Sequence, residues 1–297
     1  MQFNIKRVCL EGVDGSGKTT LFRSIHKLTG HRYNIHDRST LSMLCYAIMY
    51  DRDVEYWRSM FYEEITDLNN VIIALMPDIS VIQARLITRG DEVQDNISIV
   101  KLHEIFTREV ANIQNFPNVF VSWKPIANCD NIVSWLQQYE DKSYDNLAQI
   151  SINAVNTQLN SEINFLKMSW IDDKFDSLCI DNILYESELE YYESTLNKLR
   201  KKIRDELIGQ NEYKVQQTSQ SRRFIMTQDS CISYAHFIYR DNILHSNIVC
   251  RSSNVVDILP CDIHFIAEMG KTARHEIGLP ATTPVRFYLT LDSAHVI

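Results

Sequence analysis

The sequence predicts an α/β chain in two parts: a doubly wound parallel sheet in the first half, followed by a second domain. Three observations carry this expectation. The chain has 297 residues, 45% of them hydrophobic, enough for two cores of ordinary size. In the first half, short apolar runs alternate with helical patterns, as strand–helix–strand units require. Between the halves, residues 138–153 are polar and show no strong period. The expected domains are therefore 1–145 and 146–297.

The first apolar run, RVCLEG, reads as a buried parallel strand. Residues Gly12 to Thr19 follow at once and fit G-x-x-x-x-G-K-[ST] without a gap. An amphipathic helix starts at Thr19, with Thr20 in its first turn. Strand, glycine loop and helix together predict a site for ATP. Gly12, Gly15 and Gly17 let backbone N–H groups face a phosphate at the helix N-terminus. Lys18 would reach the β- and γ-phosphates, and Thr19 would hold Mg²⁺. Asp14 lies inside the loop.

A short strand over 33–36 ends in Asp37-Arg38, and a turn salt bridge is the plain reading of that pair. The run NVIIALMPD (70–78) is a second buried strand. The helix VIQARLITRGDE follows, placing Arg85 and Arg89 on one face at i, i+4. Taken alone, that face is a solvated basic stripe. NVFVSW (118–123) reads as the last strand and NIVSWLQQY as a closing helix. Beyond the junction, one long helix is expected over Glu186–Ile208. Its apolar stripe is Leu189, Tyr192, Leu196, Leu199 and Ile203.

Charge and cysteine usage exclude several classes. The formal net charge is -8 and spread along the chain, which argues against gripping DNA through bulk positive charge. MQFNIKRVCLEGVDG has no signal-peptide pattern, and no apolar run approaches the ~20 residues that span a bilayer. The 7 cysteines are scattered with no CxxC pair. That reads as reduced thiols in cytoplasm, with neither a disulfide framework nor a zinc site.

EGVDGSGKTT resembles the thymidylate kinase branch of the P-loop kinases, with Asp14 in the loop as a carboxylate is in that family. The resemblance implies that Asp37 and Arg38 lie near the acceptor nucleotide and its phosphate. It implies that Arg85 and Arg89 belong to a lid over the transferring phosphoryl group. The half is short for that family.

SRRFIMTQDSC, YRDNIL, CRSSNVVDILPCDI and TLDSAHV occur in this order. As an ordered set over residues 219–297 they resemble the thymidylate synthase and deoxycytidylate hydroxymethylase family. The resemblance implies an α+β domain and makes Cys231 the nucleophile that adds to C6 of a pyrimidine. The alternative for Cys231 is a small buried hydrophobe. Arg251 and Ser252 match a phosphate-binding pair. Arg222 and Arg223 match arginines that reach the partner's nucleotide across a dimer, implying a homodimer through this domain; a basic loop is the alternative. His295 matches a histidine beside base and sugar. Asp262 stands where thymidylate synthase has asparagine and the hydroxymethylases aspartate. A carboxyl can accept from cytosine N4 and, protonated, donate to N3, so Asp262 points to cytosine. Methylenetetrahydrofolate is the implied one-carbon donor. Three positions depart from the family: Ile232 replaces histidine, Asn254 a folate-contacting aspartate, and Ile297 a sugar-binding tyrosine.

These readings converge on a bifunctional enzyme of modified-pyrimidine supply: a deoxynucleoside monophosphate kinase fused to a dCMP hydroxymethylase-like domain. Two alternatives stay open. One is an active kinase with a non-catalytic nucleotide-binding and dimerisation domain. The other is a kinase acting on a modified base in DNA, with the second half holding the flipped nucleotide.

Overall fold

The computed structural model describes residues 2–90, 96–124, 129–141, 144–157, 162–172, 186–208, 221 and 223–296. Arg222 and Ile297 lie outside these described residues. The chain forms two compact units, Ile5–Glu140 and Met1–Asn4 with Asp141–Ile297. Strand β1 (Gln2–Phe3) thus belongs to the second unit's sheet.

In the unit Ile5–Glu140 the elements are β2 (Arg7–Glu11), α1 (Lys18–Thr29), β3 (Ile35–Asp37), α2 (Thr40–Met49), α3 (Val54–Ile65), β4 (Asn70–Leu75), α4 (Ile79–Arg89), α5 (Asn96–Ile113), β5 (Val119–Ser122) and α6 (Asp130–Glu140). The four strands are all parallel, in the order β3-β2-β4-β5. Every residue of β4 is buried, as befits a parallel strand covered on both faces. The chain steps from β2 outward to β3, then returns to place β4 on the other side of β2. The glycine loop leaves the carboxyl end of β2 at that reversal, where open α/β sheets bind ligands. Helices α2, α3 and α5 carry no element in the sequence reading. Their apolar residues, such as Leu41, Leu44 and Phe106, are buried in this unit's core.

The second unit contains α7 (Tyr144–Asn156), β6 (Glu162–Asp172), α8 (Glu186–Ile208), β7 (Phe224–Thr227), β8 (Ile232–Arg240), β9 (Ile243–Cys250), β10 (Ser253–Asn254), α9 (Leu259–Glu276) and β11 (Val285–His295). Its mixed sheet runs β1-β6-β11-β9-β8-β7, with β10 beside β11. The β9–β11 and β10–β11 pairs are parallel and the others antiparallel. Burial alternates along β9 and most of β11, so one sheet face is core. Helix α9 lies against β9 and β11, and α7 and α8 pack on α9. Gly270 permits the close approach: a Cβ there would stand 2.6 Å from the Phe287 ring.

The structure refines two expectations. Residues 138–153, expected to be polar without a strong period, hold the end of α6 and most of α7, which buries Leu147, Ile150, Ala154 and Val155. Their i, i+3, i+7, i+8 spacing is helical, diluted by the polar residues between. The structural division at Glu140/Asp141 lies inside that junction, a few residues before the expected 145/146, which falls in the first turn of α7. Helix α8 spans the expected residues, but its buried stripe includes Thr195 while Leu196 is only half-buried. Among the described residues, no helix is long and apolar enough to cross a membrane.

Candidate functional site

The first site is the glycine loop. Gly12, Gly15 and Gly17 have φ values of 128°, 82° and 111°, a region that favours glycine. A Cβ on Gly12 would stand 2.4 Å from the Leu75 carbonyl oxygen, so the loop lies hard against the end of β4. Lys18 is buried, its Nζ donating to Gly12 O at 2.7 Å and Val13 O at 3.0 Å. Burial, then the nearby Arg38 charge, lowers its pKa. Ser16 Oγ is buried without a hydrogen-bond partner, and Gly17 leaves the start of α1 with no side-chain cap. Such a helix start presents its first N–H groups to an anion.

The charged residues expected here surround that loop. Arg38 Nη2 donates to Asp14 Oδ1 at 2.8 Å, and its guanidinium lies over the Tyr46 ring. Arg38 thus pairs with Asp14, and its neighbour Asp37, the partner in the alternative turn salt bridge, is exposed at the end of β3. Arg85 Nη1 donates to Gly15 O and Ser16 O, each at 3.0 Å. Arg85 and Arg89 line one pocket with Gly15, Ser16, Gly17 and Thr20. Thr19 and Thr20 are exposed. The orphaned Ser16 hydroxyl, the Cβ-free cradle and the arginines fit a phosphate group, and the exposed Thr19 would suit a Mg²⁺ beside it.

Glu11 was missed. It is fully buried at the end of β2, accepting from Ser39 Oγ at 2.6 Å, Ser42 Oγ at 2.5 Å and the Ser39 amide. Burial raises its pKa despite these bonds. The available signal was a carboxylate ending an apolar strand directly before the glycine loop.

The second site lies at one corner of the mixed sheet. Cys231 sits in the bend before β8, its carbonyl accepting from Arg251 N at 2.8 Å. Its Sγ donates to Ser252 O at 3.1 Å and lies 3.7 Å from Asp262 Oδ2. Asp262 is buried in the first turn of α9. It accepts from Tyr192 OH at 3.0 Å and Ser253 Oγ at 3.3 Å. Tyr192 in turn stacks on Phe265. Cys250 is buried beside Cys231. Its thiol pKa is pushed well up by the hydrogen bond with Cys231, then by burial and the Asp262 charge.

Cys231, Arg251, Ser252 and Asp262 are therefore brought together. Arg251 is exposed and paired with Asp229 at 2.7 Å, and Ser252 is exposed beside it. His295 stands opposite Asn254 in the β10–β11 register, with Ser293 Oγ 3.4 Å from its Nδ1. Arg223 is exposed just before β7, its amide donating to Ser221 Oγ. Asn254 is committed to its own turn. Its Nδ2 donates to Asp257 at 2.8 Å and its Oδ1 accepts from the Val256 and Asp257 amides. That commitment does not fit a folate contact. Ile232 is fully buried opposite Cys250. Tyr192, Ser253 and Cys250 were missed as site residues, because only the fold brings α8 and two strands to Asp262.

Neither a protein-family model nor a curated protein matches this chain.

Proposed function

We propose that the chain is a bifunctional enzyme of modified-pyrimidine deoxynucleotide synthesis. Its first unit would transfer a phosphoryl group from ATP to a deoxynucleoside monophosphate. Its second unit would bind dCMP and activate C5. The observation that carries the kinase half is the loop itself. A buried, unpartnered Ser16 hydroxyl and a buried Lys18 share a Cβ-free cradle at a helix N-terminus. On binding, Lys18 would exchange the Gly12 and Val13 carbonyls for phosphate oxygens. Arg85 and Arg89 would neutralise charge on the transferring group, and Arg38 would face the acceptor phosphate. Thr19 would hold Mg²⁺, which supplies charge neutralisation between the phosphates.

In the second unit, Arg251 and Ser252 would take the nucleotide phosphate. The Cys231 thiol would pass its proton to the Asp262 carboxylate, and its Sγ would form a bond to C6 as the C5=C6 π bond breaks and its electron pair shifts through C4 toward N3. Protonated Asp262 would then donate to cytosine N3 while accepting from N4. Tyr192 holds that carboxyl in place. Asn254, committed to its own turn, does not fit methylenetetrahydrofolate. The half-buried sheet face with Tyr234, His236, His245, Asn247 and Tyr288 is the surface we assign to a homodimer.

A panel of deoxynucleoside monophosphates assayed with Mg-ATP tests the kinase. Turnover of none of them would sink it. Release of tritium from C5 of dCMP tests the second half, and release from neither dCMP nor dUMP would reject it. Ile232 and the committed Asn254 favour the second reading, an active kinase carrying a non-catalytic nucleotide-binding domain. Under that reading dCMP binds and no tritium is released.

A further inference from the structure

We infer that Cys231, Cys250 and Asp262 form a binding site for a soft divalent cation, with zinc as the natural candidate. The two sulfurs and a carboxylate oxygen all lie within 4.8 Å of one another. Zinc takes thiolate at about 2.3 Å and carboxylate at about 2.0–2.2 Å, which puts tetrahedral S and O ligands roughly 3.5 Å apart. Cys231 Sγ and Asp262 Oδ2 are already 3.7 Å apart. No large rearrangement is needed for a cation to enter between them.

The ligands come from three separately anchored elements: the bend before β8, the end of β9 and the first turn of α9. The surrounding shell is built. Tyr192 OH fixes one oxygen of Asp262 and Ser253 Oγ the other, the kind of support that orients a carboxylate ligand. Cys231 is half-buried while Cys250 and Asp262 are buried, so solvent reaches the cluster at Cys231. Two thiolates select a soft ion over magnesium. Three protein ligands leave a fourth position for water or an incoming group. Binding would release the two thiol protons to solvent, leaving both sulfurs as thiolates on the metal.

One consequence rests on the nucleophilic role proposed for Cys231. A cation holding that sulfur prevents its addition to C6, so zinc would suppress C5 tritium release and a chelator would restore it.

The test uses the full chain, reduced and stripped of metal, titrated with Co²⁺. A thiolate-to-cobalt charge-transfer absorption is expected, saturating at one equivalent, displaced by zinc and unaffected by magnesium. Cys250→Ser and Asp262→Asn should each weaken it roughly tenfold or more, and Tyr192→Phe should weaken it to a lesser degree. No such absorption in the wild-type chain would overturn the site, whether or not the variants fold. Undiminished absorption in both folded ligand variants would do the same. The tritium assay is separate. If metal-free protein releases no tritium, the nucleophilic role of Cys231 fails, and the cobalt titration still decides the metal site.

Discussion

Lys18 is held with its ammonium against two carbonyl oxygens of its own loop, buried and next to Arg38. A cation in that position is poised for a better anion. Lys18→Ala should therefore lower ATP turnover by roughly 10²-fold or more. Steady-state kinetics with the preferred monophosphate checks this; retention of more than half the activity would remove Lys18 from the mechanism. Asp262 poses the same kind of question for the second site. Its carboxyl is fixed at both oxygens, by Tyr192 and by Ser253. Asp262→Asn inverts part of the hydrogen-bond pattern, and a mismatch in a buried site costs about 1–3 kcal/mol. The variant should shift preference from dCMP toward dUMP by roughly tenfold or more. Equal relative affinities in variant and wild type, measured by calorimetric titration, would mean that Asp262 does not read the base.

Among the elements, the loop between β2 and α1 depends on its contact with β4. Gly12→Ala places a methyl 2.4 Å from the Leu75 carbonyl at a φ of 128°. The backbone strain alone costs about 1–3 kcal/mol, and relieving the clash adds to it. A lower denaturation midpoint for the unit Ile5–Glu140 is expected; an unchanged midpoint would show that the loop yields freely. In the other unit, α8 and α9 are tied by Arg204 and Glu276 through two hydrogen bonds of 2.7 and 2.9 Å. The hydrogen bond from Arg204 is the main cause holding the Glu276 carboxyl below its ordinary value of 4.5. A depressed carboxyl stabilises the fold above its unfolded pKa and loses that contribution as pH falls through the folded one. Arg204→Ala should therefore destabilise slightly at pH 7 and hardly at all in acid. Urea melts at both pH values test it, and an equal deficit in acid would refute the linkage.

At the scale of the whole molecule, each unit has its own sheet and its own buried core. Two separately packed cores are expected to melt as two transitions. A ligand raises only the transition of the unit it binds, by about 2.7 kcal/mol at a hundred times its Kd. Scanning calorimetry should show an ATP analogue lifting one transition and dCMP the other. If dCMP lifts no transition other than the one the ATP analogue lifts, two separate nucleotide sites are contradicted.

The legible parts of this sequence were the local ones. G-x-x-x-x-G-K-[ST] between a buried strand and an amphipathic helix marks its loop because the constraints act within a few residues. The length of α8 was equally readable from its period. The helix α7 was not, since its buried positions are separated by polar residues and only packing on α9 shows which face matters. Glu11 and Tyr192 escaped for the same reason: a buried carboxylate and a buried hydroxyl acquire meaning from partners far along the chain. The seven cysteines, scattered by spacing, suggested no metal site. The mixed sheet and α9 bring two of them to one carboxylate, because strand pairing joins residues that sequence distance keeps apart. Sequence by itself determined the glycine loop and the alternation of strands and helices, through short-range sterics and periodicity. Tertiary structure alone decided the corner shared by Cys231, Cys250, Asp262 and Tyr192, because that corner exists only once α8, α9 and two sheet strands have packed.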